Sequence, residues 1–232
     1  MALKKNKKAL SNKRNIITKF DSKSPISEQY RTIRTNIQFS SVDNEVKSLM
    51  VTSSGPGEGK STTVANLAVV FAQQGKKVLL VDADLRKPTV HYTFNQTNTF
   101  GLTSVLTRQL TLDKAVADTG EKNLFVLTSG PIPPNPAELL SSKAMEQFYQ
   151  DALDLFDIVL FDTPPLLAVT DAQILANKCE GTILVVSSGK TEKDQVVKAK
   201  ELLDSAQSKL LGVVLNNKKM KDTNYYYYYG VK

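Results

Sequence analysis

The sequence predicts an α/β domain built on a mostly parallel, doubly wound sheet flanked by helices. Three observations predict it. Apolar runs of strand length recur through the body, at residues 47–53, 77–81, 124–128, 158–161, 182–186 and 210–215. These runs do not alternate with polar residues, which marks strands buried on both faces. Helical segments fall between them, and a βαβα order produces a parallel sheet covered on both sides.

The elements follow in order. Residues 27–39, SEQYRTIRTNIQF, form a helix that Ser27 begins as N-cap, with Ile33 and Ile37 on one face. Glu28, Arg31 and Arg34 lie close to a common stripe of that helix. KSLMVTS at 47–53 is the first strand, and the helix over 61–74 stops at Gly75, a residue suited to a helix C-terminus. KVLLV at 77–81 is the next strand, and IVLF at 158–161 a later one. Further helices are expected over 136–151, 171–177 and 191–208. The PIPPNP stretch at 131–136 reads as a rigid loop before a helix.

The chain has 232 residues, enough for one domain with tails. Its net charge of +7 is uneven. Residues 1–23 hold eight Lys or Arg against the single acid Asp21, and the remainder carries 22 charges of each sign. The body is therefore not a basic nucleic-acid domain. Residues 1–23 form a basic flexible tail, either solvated or suited to an anionic membrane surface or an acidic partner. Residues 24–216 form the folded domain and 217–232 a second flexible tail, with five consecutive tyrosines at Tyr225, Tyr226, Tyr227, Tyr228 and Tyr229. Cys179 is the only cysteine and His91 the only histidine, which argues against a disulfide framework or a histidine-based metal site. No signal peptide or membrane span is legible, so a soluble intracellular chain is expected.

The first strand runs into SGPGEGKST, Ser54 to Thr62, and then into a helix, the context that a P-loop requires. Gly55, Gly57 and Gly59 let the backbone wrap phosphate oxygens, Lys60 reaches the β- and γ-phosphates, and the Ser61 hydroxyl meets Mg²⁺. Ser54, Glu58 and Thr62 complete the ATP-binding loop. Ser54 stands where the strict pattern has glycine, a small change beside an intact GKS core. The domain is therefore expected to be a P-loop NTPase that uses ATP with Mg²⁺.

Such a loop needs carboxylates at the ends of neighbouring strands. Asp82 and Asp84 follow the second strand, and Asp162 follows IVLF. All three are expected at the carboxyl edge of the sheet, where ligands sit in open α/β folds. Asp82 and Asp162 suit Mg²⁺ and its water shell, and Asp84 suits proton acceptance from an attacking hydroxyl. Arg86 suits charge neutralisation, loop support or a structural salt bridge. Asn216, after the last strand, suits either base recognition or a turn.

Taken together, SGPGEGKST, LLVDADLRKP, IVLFDTPP, the E-x-x-R-x-x-R spacing of Glu28, Arg31 and Arg34, and the tyrosine cluster resemble the bacterial tyrosine kinases of the capsule and exopolysaccharide type. The resemblance spans nearly the whole chain from about residue 24. It implies catalysis by Lys60, Asp82, Asp84 and Asp162, with autophosphorylation of the tyrosines at 225–229. It also implies a ring of subunits joined through the Glu28, Arg31 and Arg34 helix, with the tail phosphorylated in trans. The implied partners are a membrane-spanning activator whose cytoplasmic tail completes the nucleotide site, a tyrosine phosphatase and further protein substrates. This chain then looks like a separate cytoplasmic kinase, held at the membrane through that activator. Repulsion among several tail phosphates is expected to expel the tail and loosen the ring.

The nearest rival is a partitioning ATPase of the ParA or MinD kind, which shares the fold. Its signature K-G-G-x-G-K needs a lysine where this chain has Gly55. A second rival is an ATP-gated scaffold without enzymatic turnover.

Overall fold

The computed structural model describes residues 16–40 and 45–219. Two helices, α1 (Ile17–Phe20) and α2 (Pro25–Phe39), precede the first strand. β1 (Ser48–Ser53), α3 (Lys60–Gln73) and β2 (Val78–Asp82) follow, then three short helices, α4 (Val90–Phe94), α5 (Leu102–Leu106) and α6 (Leu112–Ala115). The rest comprises β3 (Ala117–Asp118), β4 (Leu124–Leu127), α7 (Pro136–Leu140), α8 (Lys143–Leu155), β5 (Ile158–Asp162), α9 (Asp171–Lys178), β6 (Gly181–Ser187), α10 (Lys193–Ser205) and β7 (Leu210–Asn216).

The seven strands form one sheet in the order β3-β4-β2-β5-β1-β6-β7. Every pairing is parallel except the two-residue β3 against β4. Strand residues alternate between two cores. Leu49, Val51, Leu80 and Leu160 pack toward α3. Met50, Leu79, Val81 and Phe161 pack toward the helices of the opposite face, including α8 and α9. Each such side chain, removed fully from water, contributes about 2 kcal/mol.

The P-loop helix α3 is buried from Thr63 to Ala72, because α1 and α2 cover the side turned away from the sheet. Thr18 of α1 donates from its N–H and its hydroxyl to Asn66 Oδ1, at 3.1 and 2.9 Å. Arg34 of α2 donates to the Val70 carbonyl at 2.9 Å. Residues 16–20 are thus packed onto the body.

Several elements differ from the sequence expectation. Ser24, not Ser27, caps α2: its hydroxyl accepts the Ser27 N–H, and Pro25 occupies the first turn, where its missing N–H costs nothing. Ser27 is buried and donates to the Asp21 carbonyl at 2.7 Å. The helix expected over 136–151 is two, broken at Ser141 and Ser142, where the Ser142 hydroxyl starts α8 by accepting the Met145 N–H. The helix expected over 191–208 is shorter, at Lys193–Ser205. β7 was expected to be buried on both faces, yet Val213 and Leu215 are half exposed. It is an edge strand, where the flanking helices cover its faces only in part. The tyrosine cluster at 225–229 and most of the basic tail lie outside the described residues.

Candidate active site

The carboxyl ends of β1, β2 and β5 meet because β5 is the strand between the other two. Asp82 is paired in register with Asp162, and Val51 with Asp162 on the opposite side. The phosphate loop leaves β1 over the same edge. Gly57 and Gly59 have φ of +74° and +99°, left-handed conformations that side chains resist.

Lys60, the first residue of α3, turns toward the acids. Its ammonium donates to Asp84 Oδ2 at 3.1 Å, to Asp162 Oδ1 at 3.3 Å and to Ser61 Oγ at 3.1 Å. Burial works against this charge, but the Asp162 and Asp84 carboxylates outweigh it and hold the ammonium above its usual range. The structure thus brings Lys60, Ser61, Asp84 and Asp162 into direct contact.

Asp82 takes a different part. One carboxylate oxygen accepts the Thr89 and Val90 N–H groups, each at 2.8 Å, so it caps the start of α4. Burial, and then the adjacent Asp162 charge, push its pKa up to about 7. The other Asp82 oxygen and Asp162 Oδ2 are buried and accept no hydrogen bond among the described residues. Among those residues, no three His, Cys, Asp or Glu side chains converge to hold a metal by themselves. The free oxygens of Asp82 and Asp162, with the Ser61 hydroxyl, fit the sparse protein ligation that Mg²⁺ takes beside phosphates.

The loop is braced from within and without. The Glu58 carboxylate is buried and accepts the Gly55 N–H at 2.9 Å. The Ser54 hydroxyl is buried without a partner among the described residues, so the residue is accommodated by its size rather than by a bond. Thr62 lies on the first turn of α3, where its carbonyl accepts from the Asn66 amide at 2.9 Å. Asn216, at the end of β7, donates its amide to the Glu58 carbonyl at 2.9 Å. This contact to the phosphate loop is neither the base recognition nor the turn that the sequence suggests for Asn216.

Arg86 makes a two-pronged ion pair with Asp171, both nitrogens at 2.9 Å from the two carboxylate oxygens. Asp171 is wholly buried and Arg86 half exposed, so the salt-bridge reading holds in this structure. Glu28 and Arg31 pair with each other on the outer face of α2, while Arg34 is docked on α3. Lys190 escaped the sequence reading. It follows β6 with no motif around it, yet its ammonium lies 3.4 Å from the Gly57 carbonyl.

Residues 46–192 match the model of the AAA domain family. The tyrosine-protein kinase YwqD of Bacillus subtilis is 62% identical over all of this chain and 98% of its own length. The putative tyrosine-protein kinase CapB of Staphylococcus aureus is 46% identical, over 90% of this chain and 92% of its own. Among solved structures, the chimerical protein CapA2B2 superposes with a TM-score of 0.86 at 48% identity, covering 88% of this chain and 90% of that one. The cell-division ATPase MinD of Pyrococcus furiosus is more distant, with a TM-score of 0.63 at 27% identity over 76% of this chain and 74% of its own. A P-loop α/β sheet, a lysine held between two strand-end carboxylates and this similarity along the full chain lead to one conclusion: the chain belongs to the bacterial tyrosine-protein kinase family.

Proposed function

We propose that this kinase transfers the γ-phosphoryl group of ATP to the tyrosines at 225–229 of a neighbouring copy, and that this controls capsule or exopolysaccharide synthesis or export. The observation that carries the reading is the Lys60 ammonium shared between Asp84 and Asp162 beneath the phosphate loop. It puts a cation and two acids beside the phosphate loop, an arrangement that suits phosphoryl transfer by positioning and charge stabilisation.

The tyrosine oxygen attacks the γ-phosphorus, the bond to the bridging oxygen breaks, and ADP departs. Asp84 takes the phenolic proton. It retains some solvent access, whereas Asp82 and Asp162 have none. Ser61, Asp82 and Asp162 would hold Mg²⁺, which when bound offsets charge on the phosphate oxygens. Lys60 neutralises the charge that develops on the leaving side.

The ring reading is supported by the outer face of α2. Glu28 and Arg31 are partly exposed there, and Ile26 and Phe39 expose apolar surface, Phe39 at 78%. Because Arg34 is docked on α3, Glu28 and Arg31 would make the contacts between copies. The partners that go with this reading are a membrane-spanning activator acting through its cytoplasmic tail, a phosphatase and further protein substrates. No helix among the described residues is long and apolar enough to cross a membrane, so attachment to a membrane would run through that activator.

The test is incubation of the full chain with ATP and Mg²⁺, with and without a candidate activator tail, followed by intact mass and peptide mapping. Phosphate on the tyrosines at 225–229, absent from Lys60→Met, is the expected result. Mixing a Lys60→Met chain with an active chain whose tail tyrosines are Phe separates trans from cis transfer. ATP hydrolysis without phosphotyrosine would move the case to a partitioning-type ATPase.

A further inference from the structure

Two side chains from the β6–β7 side of the sheet grip the phosphate loop by its carbonyls. Lys190, in the turn after β6, donates to Gly57 O, and Asn216, at the end of β7, donates to Glu58 O. In a trans peptide the carbonyl and the N–H point in opposite directions. A donor on the Gly57 carbonyl therefore orients the Glu58 N–H, and a donor on the Glu58 carbonyl orients the Gly59 N–H. These belong to the backbone donors with which such a loop cradles phosphate.

The space for this grip exists because of glycine. A Cβ at Gly57 would lie 3.1 Å from Lys190 Nζ, and one at Gly59 would lie 1.9 Å from Asn216 Nδ2. The gripping segments are also tied to each other. The Ser188 N–H donates to the Asn216 carbonyl at 2.8 Å, and the Asn217 amide donates to Ser187 Oγ at 3.0 Å. Lys190 makes no ion pair among the described residues, so no carboxylate competes with the Gly57 carbonyl for its ammonium.

We infer that Lys190 and Asn216 are positioning residues for nucleotide, a two-point clamp that aims the Glu58 and Gly59 N–H groups at the phosphates. The clamp acts through the loop and touches no reacting atom. A cation on the Gly57 carbonyl also polarises that peptide and strengthens its N–H as a donor. The inference rests on the phosphate loop binding nucleotide, and not on which group receives the phosphoryl.

The experiment measures ADP and ATP binding to the full chain by calorimetry with Mg²⁺ present. It compares Lys190→Ala, Lys190→Arg, Asn216→Ala and the charge-matched control Lys193→Ala, with thermal melts recorded without nucleotide. Lys190→Ala and Asn216→Ala should each weaken ADP and ATP alike, by roughly three- to tenfold, the range for one lost hydrogen bond. The KM for ATP should rise by the same factor while kcat stays within about twofold, the pattern of lost uniform binding. Lys190→Arg should restore affinity, and Lys193→Ala should change nothing. Lys190 is exposed, so the melting temperature of its Ala variant should not move. Should Asn216→Ala lower the melting temperature, the Lys190 pair decides the matter. Unchanged affinity for both nucleotides in Lys190→Ala overturns the clamp. So does a loss confined to ATP, which would make Lys190 a direct γ-phosphate contact. A chain that binds nucleotide through the clamp but forms no phosphotyrosine would overturn the kinase reading alone.

Discussion

Asn216 Nδ2 occupies the space that any side chain at Gly59 would need, 1.9 Å from the position of its Cβ. The tight turn of the phosphate loop and the end of the last strand are therefore one fitted unit. Gly59→Ala should destabilise the chain by about 2 kcal/mol, since alanine at φ +99° adds backbone strain to the clash. It should also abolish measurable ADP binding. The double variant Gly59→Ala, Asn216→Ala should recover part of the lost stability, because it relieves the clash but not the strain. Urea denaturation of the two variants beside wild type checks this.

Lys60 holds Asp84 and Asp162 together, whatever part it takes in the proposed chemistry. Lys60→Met leaves Asp84 and Asp162 facing each other without their shared cation. Beyond loss of phosphotransfer, a destabilisation of about 3 kcal/mol is expected at neutral pH. Adding Asp84→Asn should return some of it. Equal stability of Lys60→Met and wild type in chemical denaturation would contradict this.

The raised pKa of Asp82, about 7, carries a sign. Its folded value lies above its unfolded value, so its contribution to stability is full below about pH 4 and is lost as pH rises through 7. Measured without nucleotide, wild type should lose on the order of 2 kcal/mol relative to Asp82→Asn between pH 5 and pH 8. Parallel pH profiles for the two proteins would refute the assignment.

Arg86 and Asp171 tie the loop after β2 to the start of α9. Arg86→Ala strands a buried carboxylate and should cost about 2 kcal/mol, with the N-terminal end of α9 softening the loss. Asp171→Asn should cost less, since it removes the buried charge together with the pair. A double-mutant cycle by thermal denaturation should return a coupling above about 1 kcal/mol.

On α2 the two arginines should separate by experiment. Glu28 and Arg31 form a partly exposed pair worth less than about 1 kcal/mol to the single chain. Arg31 also donates to the exposed Ser22 carbonyl at 2.7 Å, so Arg31→Ala should lower the melting temperature of the monomer only slightly and shift the mass distribution in light scattering toward smaller species. Arg34→Ala removes the bond to the Val70 carbonyl and should lower the melting temperature as well.

Much of this protein is legible in one dimension. The central strands read directly because parallel strands covered on both faces must be apolar throughout, and all six expected strands are present within a residue or two of their expected ends. The meeting of the phosphate loop, Lys60 and the three acids at one edge of the sheet was also legible, because the loop glycines, the lysine and the strand-end carboxylates stand at set spacings. The region between β2 and β4 did not read. Its helices α4, α5 and α6 have five, five and four residues, too few turns to show a helical period. The exposed face of β7 was also hidden, since an edge strand and a central strand share one composition.

By itself the sequence determined the fold class and the position of the phosphate loop and its strand-end acids in the chain, because local spacing and hydrophobic pattern encode these. Only the tertiary structure decided which partners each acid takes. Asp82 is drawn to two backbone N–H groups at the start of α4, while Asp84 and Asp162 share Lys60. It likewise decided that Arg34 docks on α3, that Arg86 serves Asp171 and that Lys190 reaches Gly57. Each of these pairings joins residues far apart in the chain, and only the packing of the sheet and its helices brings their charges and hydrogen-bonding groups within reach.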